Sequence, residues 1–368
     1  MNNKQPNPTK VNAKWYRYTL DFKFDAGTSR GVLKTKDSYF LKVWQTDNPD
    51  RVGWGEAGPL PNLSPEDGLD LPSIWEALVV KLSQVAVEWE EEAILDLCEE
   101  LVPDNCPSVR FAFETALLDL YHGGEKLIMA NDFYKGQEKI AINGLIWMGD
   151  AAFMHRQIED KLVQGFSCIK MKIGAINFEE ECRLLDGIRA RFSADDITLR
   201  VDANGAFPPE EAMGKLSQLA EFDLHSIEQP IKAGQHQEMQ RLCASSPLSI
   251  ALDEELIGVT GRNQKAALLD KIRPPFIILK PTLLGGIRAT KKWIQLAEDR
   301  NIGWWMTSAL ESNIGLNAIA QLTSTYCTTL PQGLGTGQLF LNNIESPLEI
   351  QKGRLVYHSG RKWGGPNW

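Results

Sequence analysis

No apolar run in this 368-residue chain reaches the roughly 20 residues that a membrane-spanning helix requires. The opening Met1-Asn2-Asn3-Lys4-Gln5-Pro6-Asn7 lacks the apolar stretch of a secretory signal, so the cytoplasm is the expected setting. Cysteine is sparse. Cys98, Cys106, Cys168, Cys182, Cys243 and Cys327 contain no Cys-x-x-Cys spacing, which argues against a zinc ribbon and a disulfide framework. None of the five histidines has a metal-ligand spacing either. Excess positive charge is also missing. The formal net charge is −9 with both signs interspersed, which argues against nucleic acid as a partner.

What is present divides into two rhythms. Residues 14–24 alternate, with Tyr16, Tyr18, Leu20, Phe22 and Phe24 on one side, which is strand periodicity. A second strand is expected at Ser38–Trp44, followed by a glycine-rich turn at Gly53–Gly58. From Ser64 the pattern turns helical, and Pro107–His122 reads as an amphipathic helix ending at Gly123-Gly124. Strands followed by helices imply an α+β module over residues 1–135. After residue 138, strand candidates recur near Ala141–Trp147, Ser167–Ile173, Thr198–Asp202, Ser226–Glu228, Ile250–Asp253, Phe276–Lys280, Trp304–Ser308 and Gln332–Gly335. Eight strands with helix-like spacers predict an α/β barrel over residues 136–340. In the remaining 341–368, Arg354–Tyr357 reads as a strand returning to the N-terminal module.

Charged residues close several of these strands: Lys170 and Lys172, Asp202, Glu228, Asp253, and Lys280. Their intervals are about one strand-plus-helix unit, and a closed βα barrel gathers such strand ends around one mouth. An acid at a strand end often caps the next helix. Three in register, beside lysines, point instead to oxygen ligands for a hard divalent cation, Mg²⁺ best and Mn²⁺ possible. Such a cation suits abstraction of a proton beside a carboxylate, because it neutralises the second negative charge as it forms. Lys170 and Lys172 are two apart and share one strand face, so each disfavours the other's charge and one can serve as a neutral base. Lys280, four strands later, is expected across the mouth as a second acid/base or a fixed cation; taken alone, a salt bridge to a rim acid is the simpler reading.

Weaker candidates surround these. Asn204 could hold a ligand or turn its loop, and Glu254 is expected to support the site from behind. Ser308 ends the seventh strand, and Glu311 just after it could bind a lysine or cap a helix. Gly333, Gly335 and Gly337 could offer backbone N–H groups to a substrate carboxylate. The segments Thr28–Lys34 and Pro59–Ser64 are expected to close over the mouth, with Arg30 a candidate counter-ion for a second carboxylate.

The Lys-x-Lys at 170–172, Asp-Ala-Asn at 202–204, Glu-Gln-Pro at 228–230, Asp-Glu at 253–254 and Lys-Pro at 280–281 resemble, in order and spacing, the muconate-lactonizing-enzyme-like branch of the enolase superfamily. The resemblance covers nearly the whole chain. It implies a modified (β/α)7β TIM barrel behind an α+β capping domain, Mg²⁺ held by Asp202, Glu228 and Asp253, and Lys172 and Lys280 flanking a small carboxylate substrate. Asn143-Gly144-Leu145, the segment Pro59–Glu66 and Ser108–Ala112 are most similar to the o-succinylbenzoate synthase family within that branch. That implies a lyase of menaquinone synthesis that dehydrates 2-succinyl-6-hydroxy-2,4-cyclohexadiene-1-carboxylate, with Lys172 as the single acid/base and Lys280 as a cation over the ring. An N-acylamino-acid racemase or dipeptide epimerase, with both lysines as acid/bases, is the rival reading, and a non-catalytic scaffold the third. Gly333-Leu334-Gly335-Thr336-Gly337 carries no acid, which disfavours a cationic substrate and leaves an N-acylated one open.

Overall fold

A computed structural model describes residues 7–28 and 31–364. The chain begins with an antiparallel meander of β1 (Thr9–Thr28), β2 (Gly31–Gln45) and β3 (Asn48–Ala57). Three helices follow, α1 (Leu71–Gln84), α2 (Glu91–Leu101) and α3 (Pro107–Tyr121), with the short β4 (Ala86–Val87) pairing with β1. Gly53 and Gly55, in the stretch expected as a turn, lie in β3 instead. A Cβ at Gly53 would sit 2.0 Å from Ala116 O, and one at Gly55 would sit 1.9 Å from Ala112 O. These glycines therefore serve close packing of sheet on helix, which in the sequence looks the same as a turn.

Helix α3 departs from expectation as well. Pro107 to Leu120 are all buried, not just one face, because the helix is sandwiched between the meander and the barrel. Two of its charged side chains show how burial is offset by hydrogen bonds. Arg110 donates to Val102 O at 2.6 Å, and Asp119 accepts from the N–H groups of Trp54 and Lys126 at 2.9 and 2.6 Å.

The second rhythm builds β5 (Lys139–Ala141), β6 (Gly144–Ile146), α4 (Ala151–Val163), β7 (Cys168–Lys172), α5 (Phe178–Arg189), β8 (Thr198–Asp202), α6 (Pro209–Ala220), β9 (Ser226–Glu228) and α7 (His236–Ser245). It continues through β10 (Ile250–Leu252), α8 (Arg262–Ile272), β11 (Phe276–Leu279), α9 (Pro281–Leu284), α10 (Gly286–Glu298), β12 (Gly303–Met306) and α11 (Asn313–Ser324). Strands β6 to β12 form one parallel seven-stranded sheet in sequence order. The expected eighth strand, Gln332–Gly335, is reduced to two parallel bridges, Ile142 with Gln332 and Thr307 with Gly333. Those bridges close the sheet into a (β/α)7β barrel.

The C-terminal hairpin, β13 (Leu348–Gln351) and β14 (Arg354–Tyr357), pairs through β14 with β5 rather than with a strand of the N-terminal module, and touches that module through Tyr357, whose ring packs on Phe133 and Tyr134. Contact with the meander is made earlier in the chain. Lys23 N–H donates to Leu339 O at 2.9 Å and Leu341 N–H to Asp21 O at 2.8 Å.

Candidate active site

Strand register explains how the charged residues meet. Lys172 pairs with Asp202, and Asp202 with Glu228, so three adjacent strands end at one level. Asp253 follows β10 directly and Lys280 follows β11. All five, with Lys170, are buried. Lys170 Nζ bridges Glu228 Oε2 (2.8 Å) and Asp202 Oδ2 (3.3 Å). Lys172 Nζ donates to Asp202 Oδ2 (3.2 Å) and Asn204 Oδ1 (2.7 Å). Lys280 Nζ donates to Asp253 Oδ2 and lies 3.5 Å from Glu228 Oε1.

These neighbours set the charges apart. Burial, together with the ammonium groups of Lys170 and Lys280, draws Lys172 below the ordinary lysine value, although Asp202 pulls the other way. Burial also opposes charge on Lys280, but Asp253 and Glu228 outweigh it and raise that lysine. Burial alone would raise Asp202; the three lysines overcome it and hold the carboxylate well below its usual range.

Asp202, Glu228 and Asp253 are hard oxygen donors of the kind that Mg²⁺ or Mn²⁺ takes. As the side chains stand, no three His, Cys, Asp or Glu residues among the described residues converge to hold one ion. The ammonium groups of Lys170 and Lys280 bridge the acids instead. Glu228 Oε1 is nonetheless buried and, among the described residues, without a hydrogen-bond partner, Lys280 Nζ lying 3.5 Å away; a cation would satisfy this anionic oxygen. The donor set fits a divalent metal.

The supporting residues fall into place around this centre. Asn204, at φ 44°, accepts from Lys172 and donates Nδ2 to Glu254 Oε1 at 3.0 Å, which orients its amide. Glu254 is thus linked to Lys172 through Asn204. Ser308 lines the cavity above the lysines, and Glu311, fully buried behind it, accepts from the hydroxyls of Ser308 and Thr282. Gly333 also lines the cavity, with its N–H donating to Met306 O at 2.7 Å. Gly335 lines the cavity, where a Cβ would be in ordinary contact with Asn143 O at 3.6 Å, whereas Gly337 packs against Asn313 and Leu316, away from it. Arg30 lies outside the described residues.

The cavity measures about 470 Å³. Its floor carries Lys170, Lys172, Asp202 and Lys280, and its walls are largely apolar, with Phe24, Leu33, Leu60, Leu63, Trp147 and Leu310 among them. The segments 31–33 and 60–63 of the meander module close one side, although Gly31–Lys34 continue β2 as strand rather than loop. Sequence reasoning missed Trp147. Its ring lies 5.8 Å from Lys172 Nζ and packs edge-on against Phe22 and Phe24, while Gln157 clamps its backbone N–H and C=O. The spacing of Trp147 and Gln157 across a strand-to-helix turn was the available signal.

A family model described as "Enolase C-terminal domain-like" matches residues 154–361. An o-succinylbenzoate synthase from Desulfotalea psychrophila is 49% identical over 360 residues, which span 92% of this chain and 97% of that one. The chain belongs to the enolase superfamily. The crystal structure of MenC from Desulfotalea psychrophila superposes with a TM-score of 0.85 at 43% identity, covering 95% of this chain and all of that one. Among superfamily members of lower identity, the dipeptide epimerase from Enterococcus faecalis, solved with Mg and the dipeptide L-Leu-L-Tyr, has a TM-score of 0.80 at 20% identity, covering 97% and 99% of the two chains. That likeness shows the shared fold, and superfamily membership points to a divalent metal.

Proposed function

We infer that the chain catalyses the o-succinylbenzoate synthase reaction, the dehydration of 2-succinyl-6-hydroxy-2,4-cyclohexadiene-1-carboxylate. The observation that carries this reading is the charged floor of Lys170, Lys172, Asp202 and Lys280 beneath an apolar cavity, in a chain 49% identical to an enzyme of that name. Lys172, oriented by Asn204 and Asp202, takes the proton from the carbon bearing the ring carboxylate. Its ammonium then returns that proton to the departing hydroxyl on the same face, water leaves, and the ring becomes aromatic. Lys280, held as a cation by Asp253 and Glu228, contributes positive charge without moving a proton. Lys170 balances Asp202 and Glu228.

We propose Asp202, Glu228 and Asp253 as the ligands of a divalent metal, Mg²⁺ by preference. When bound, it offsets the negative charge that develops on the substrate carboxylate. In the same reading, residues 1–135 form a capping domain, 136–340 the catalytic barrel and 341–368 a segment returning to the cap, and the enzyme works in the cytoplasm. No helix among the described residues is long and apolar enough to cross a membrane. The deciding experiment is direct assay of purified protein with Mg²⁺ and the cyclohexadiene. Appearance of o-succinylbenzoate supports the reading, and its absence under conditions where a dipeptide is epimerised rejects it.

A further inference from the structure

Three charged side chains with no part in the chemistry above are buried where the meander meets the start of α11. They are Lys36 on β2, Glu56 on β3 and Glu311 just before the helix. Burying charge is costly unless it is paired and bonded, so such a group needs an account. Glu56 is saturated. It accepts from Ser312 N–H (2.8 Å), Ser312 Oγ (2.5 Å), Gly315 N–H (2.9 Å) and Ser38 Oγ (2.7 Å). A carboxylate from the meander module thus caps a barrel helix, where backbone N–H groups and the helix dipole favour negative charge.

Lys36 Nζ donates to Ser38 Oγ at 3.3 Å, which itself donates to Glu56, and the charges of Glu56 and Glu311 both favour the ammonium; Gly58 leaves room beside it. A Cβ there would lie 2.5 Å from Lys36 Nζ and 3.8 Å from Glu311 Cγ. Glu311 in turn holds the Ser308 hydroxyl, which accepts from Thr336 Oγ1 at 2.7 Å and from Leu310 N–H at 3.2 Å. Between these two anchors runs the cavity wall, and within it Leu310 has φ 67°. A leucine rarely adopts the left-handed region and persists there only when its surroundings over-determine it. Glu56 fixes the segment on one side of Leu310, and Glu311, with its charge faced by Lys36, holds Ser308 on the other.

We propose that Lys36 and Glu56 are positioning residues: acting through Ser312 and Glu311, they hold Leu310 in its left-handed conformation as the wall against which the substrate is placed over Lys172. This takes the cavity as the substrate site of the reading above, and deepens it by making substrate placement depend on charges in the N-terminal module.

The test uses the full chain and the variants Glu56→Gln, Lys36→Met and Leu310→Gly. Amide exchange across 309–315 is measured without ligand, and dehydration kinetics with the cyclohexadiene. Glu56→Gln should speed exchange in 309–315 by roughly tenfold over the wild type, with the barrel strands unchanged, because only local opening is eased. It should also lower kcat/KM by about tenfold, but by less than about twofold in the Leu310→Gly background, where no strained backbone remains to be held; such coupling is of the size that contacting residues show. Lys36→Met should follow the same pattern, and Lys36→Arg should restore part of the loss. Additive effects of Glu56→Gln and Leu310→Gly, or unchanged exchange in 309–315, would overturn the proposal. Should Glu56→Gln fail to fold, Ser312→Ala, which removes one donor to that carboxylate, carries the same readouts. If the wild type forms no o-succinylbenzoate the functional reading fails, while the exchange measurement still decides whether the anchors hold the wall.

Discussion

Asn204 Oδ1 accepts a hydrogen bond from Lys172 Nζ at 2.7 Å, and the left-handed backbone of Asn204 is what turns its amide toward that lysine. Glycine tolerates φ above zero, so Asn204→Gly removes the amide while keeping the turn. Kinetics should show kcat reduced by roughly 10–100-fold with KM changed far less, as for loss of a group that orients the reacting one. An equal loss in kcat and gain in KM would assign Asn204 to substrate binding instead.

The two lysines should separate dehydration from racemisation. Lys172→Ala is expected to abolish both product formation and exchange of the substrate α-proton with deuterated solvent. Lys280→Arg keeps the positive charge and should retain measurable dehydration, whereas a racemase with opposed acid/bases would lose inversion, because arginine is too basic to trade a proton. Fast epimerisation of a dipeptide with negligible dehydration would reverse the functional conclusion. Comparable turnover of an N-succinylamino acid would mean one site with two activities.

Removal of divalent metal with excess chelator should abolish dehydration, and added Mg²⁺ or Mn²⁺ should restore it. Asp202→Asn should raise the metal concentration needed for half-maximal activity by about tenfold or more, with the circular dichroism spectrum unchanged. Full turnover by metal-free protein would remove Asp202, Glu228 and Asp253 from the ligand role.

A methyl group at position 55 has nowhere to go, since it would meet Ala112 O at 1.9 Å. Gly55→Ala should cost on the order of 3 kcal/mol or prevent folding, as overpacking does when backbone is the obstacle. Gly214, whose Cβ would meet nothing within 4 Å, is the control: Gly214→Ala, inside α6, should stabilise slightly. Denaturant titration of both variants checks the contrast.

Stability should fall as pH rises from about 5 to 8. Burial raises Glu114 to about 8, against hydrogen bonds from the N–H groups of Ile287 and Arg288; it likewise raises Asp119 to about 7 and Glu66 to about 7. Carboxyls whose folded-state values are raised bind protons more tightly when folded. Their contribution is complete below the unfolded values and lost as pH rises through the folded ones. Glu114→Gln cannot ionise, so its stability relative to the wild type should increase through this window, by an amount on the order of 1–4 kcal/mol, and level off above pH 8. Thermal midpoints taken from pH 5 to 9 would test the sign.

Much of the barrel was legible because its chemistry is periodic. Lys172, Asp202 and Glu228 end successive strands, and the register that aligns them follows from that repetition. The meander module was harder to read. Gly53 and Gly55 look like turn glycines because local sequence cannot show a helix arriving from residue 112. The burial of α3 on every side depends on partners both before and after it in the chain. Glu56 gave no signal at all, since its bond to Ser312 spans 256 residues with no pattern linking the two. Gln332 and Gly333 were expected in a full strand, but two bridges suffice where the neighbours are already held in the sheet.

Those two bridges also set a schedule. Ile142 begins the barrel and Gln332 completes it, so a growing chain cannot close the ring until most of its length has been made. Strand β1 waits longer still for Leu339 and Leu341. Contacts this distant in sequence make folding slow and leave strand edges and apolar faces open to wrong partners in the meantime. The molecule's greatest exposure to aggregation therefore falls during its own synthesis. Arrested chains ending before residue 332 should remain protease-sensitive throughout the barrel, and resistance should appear in one step once residues 332–341 are added.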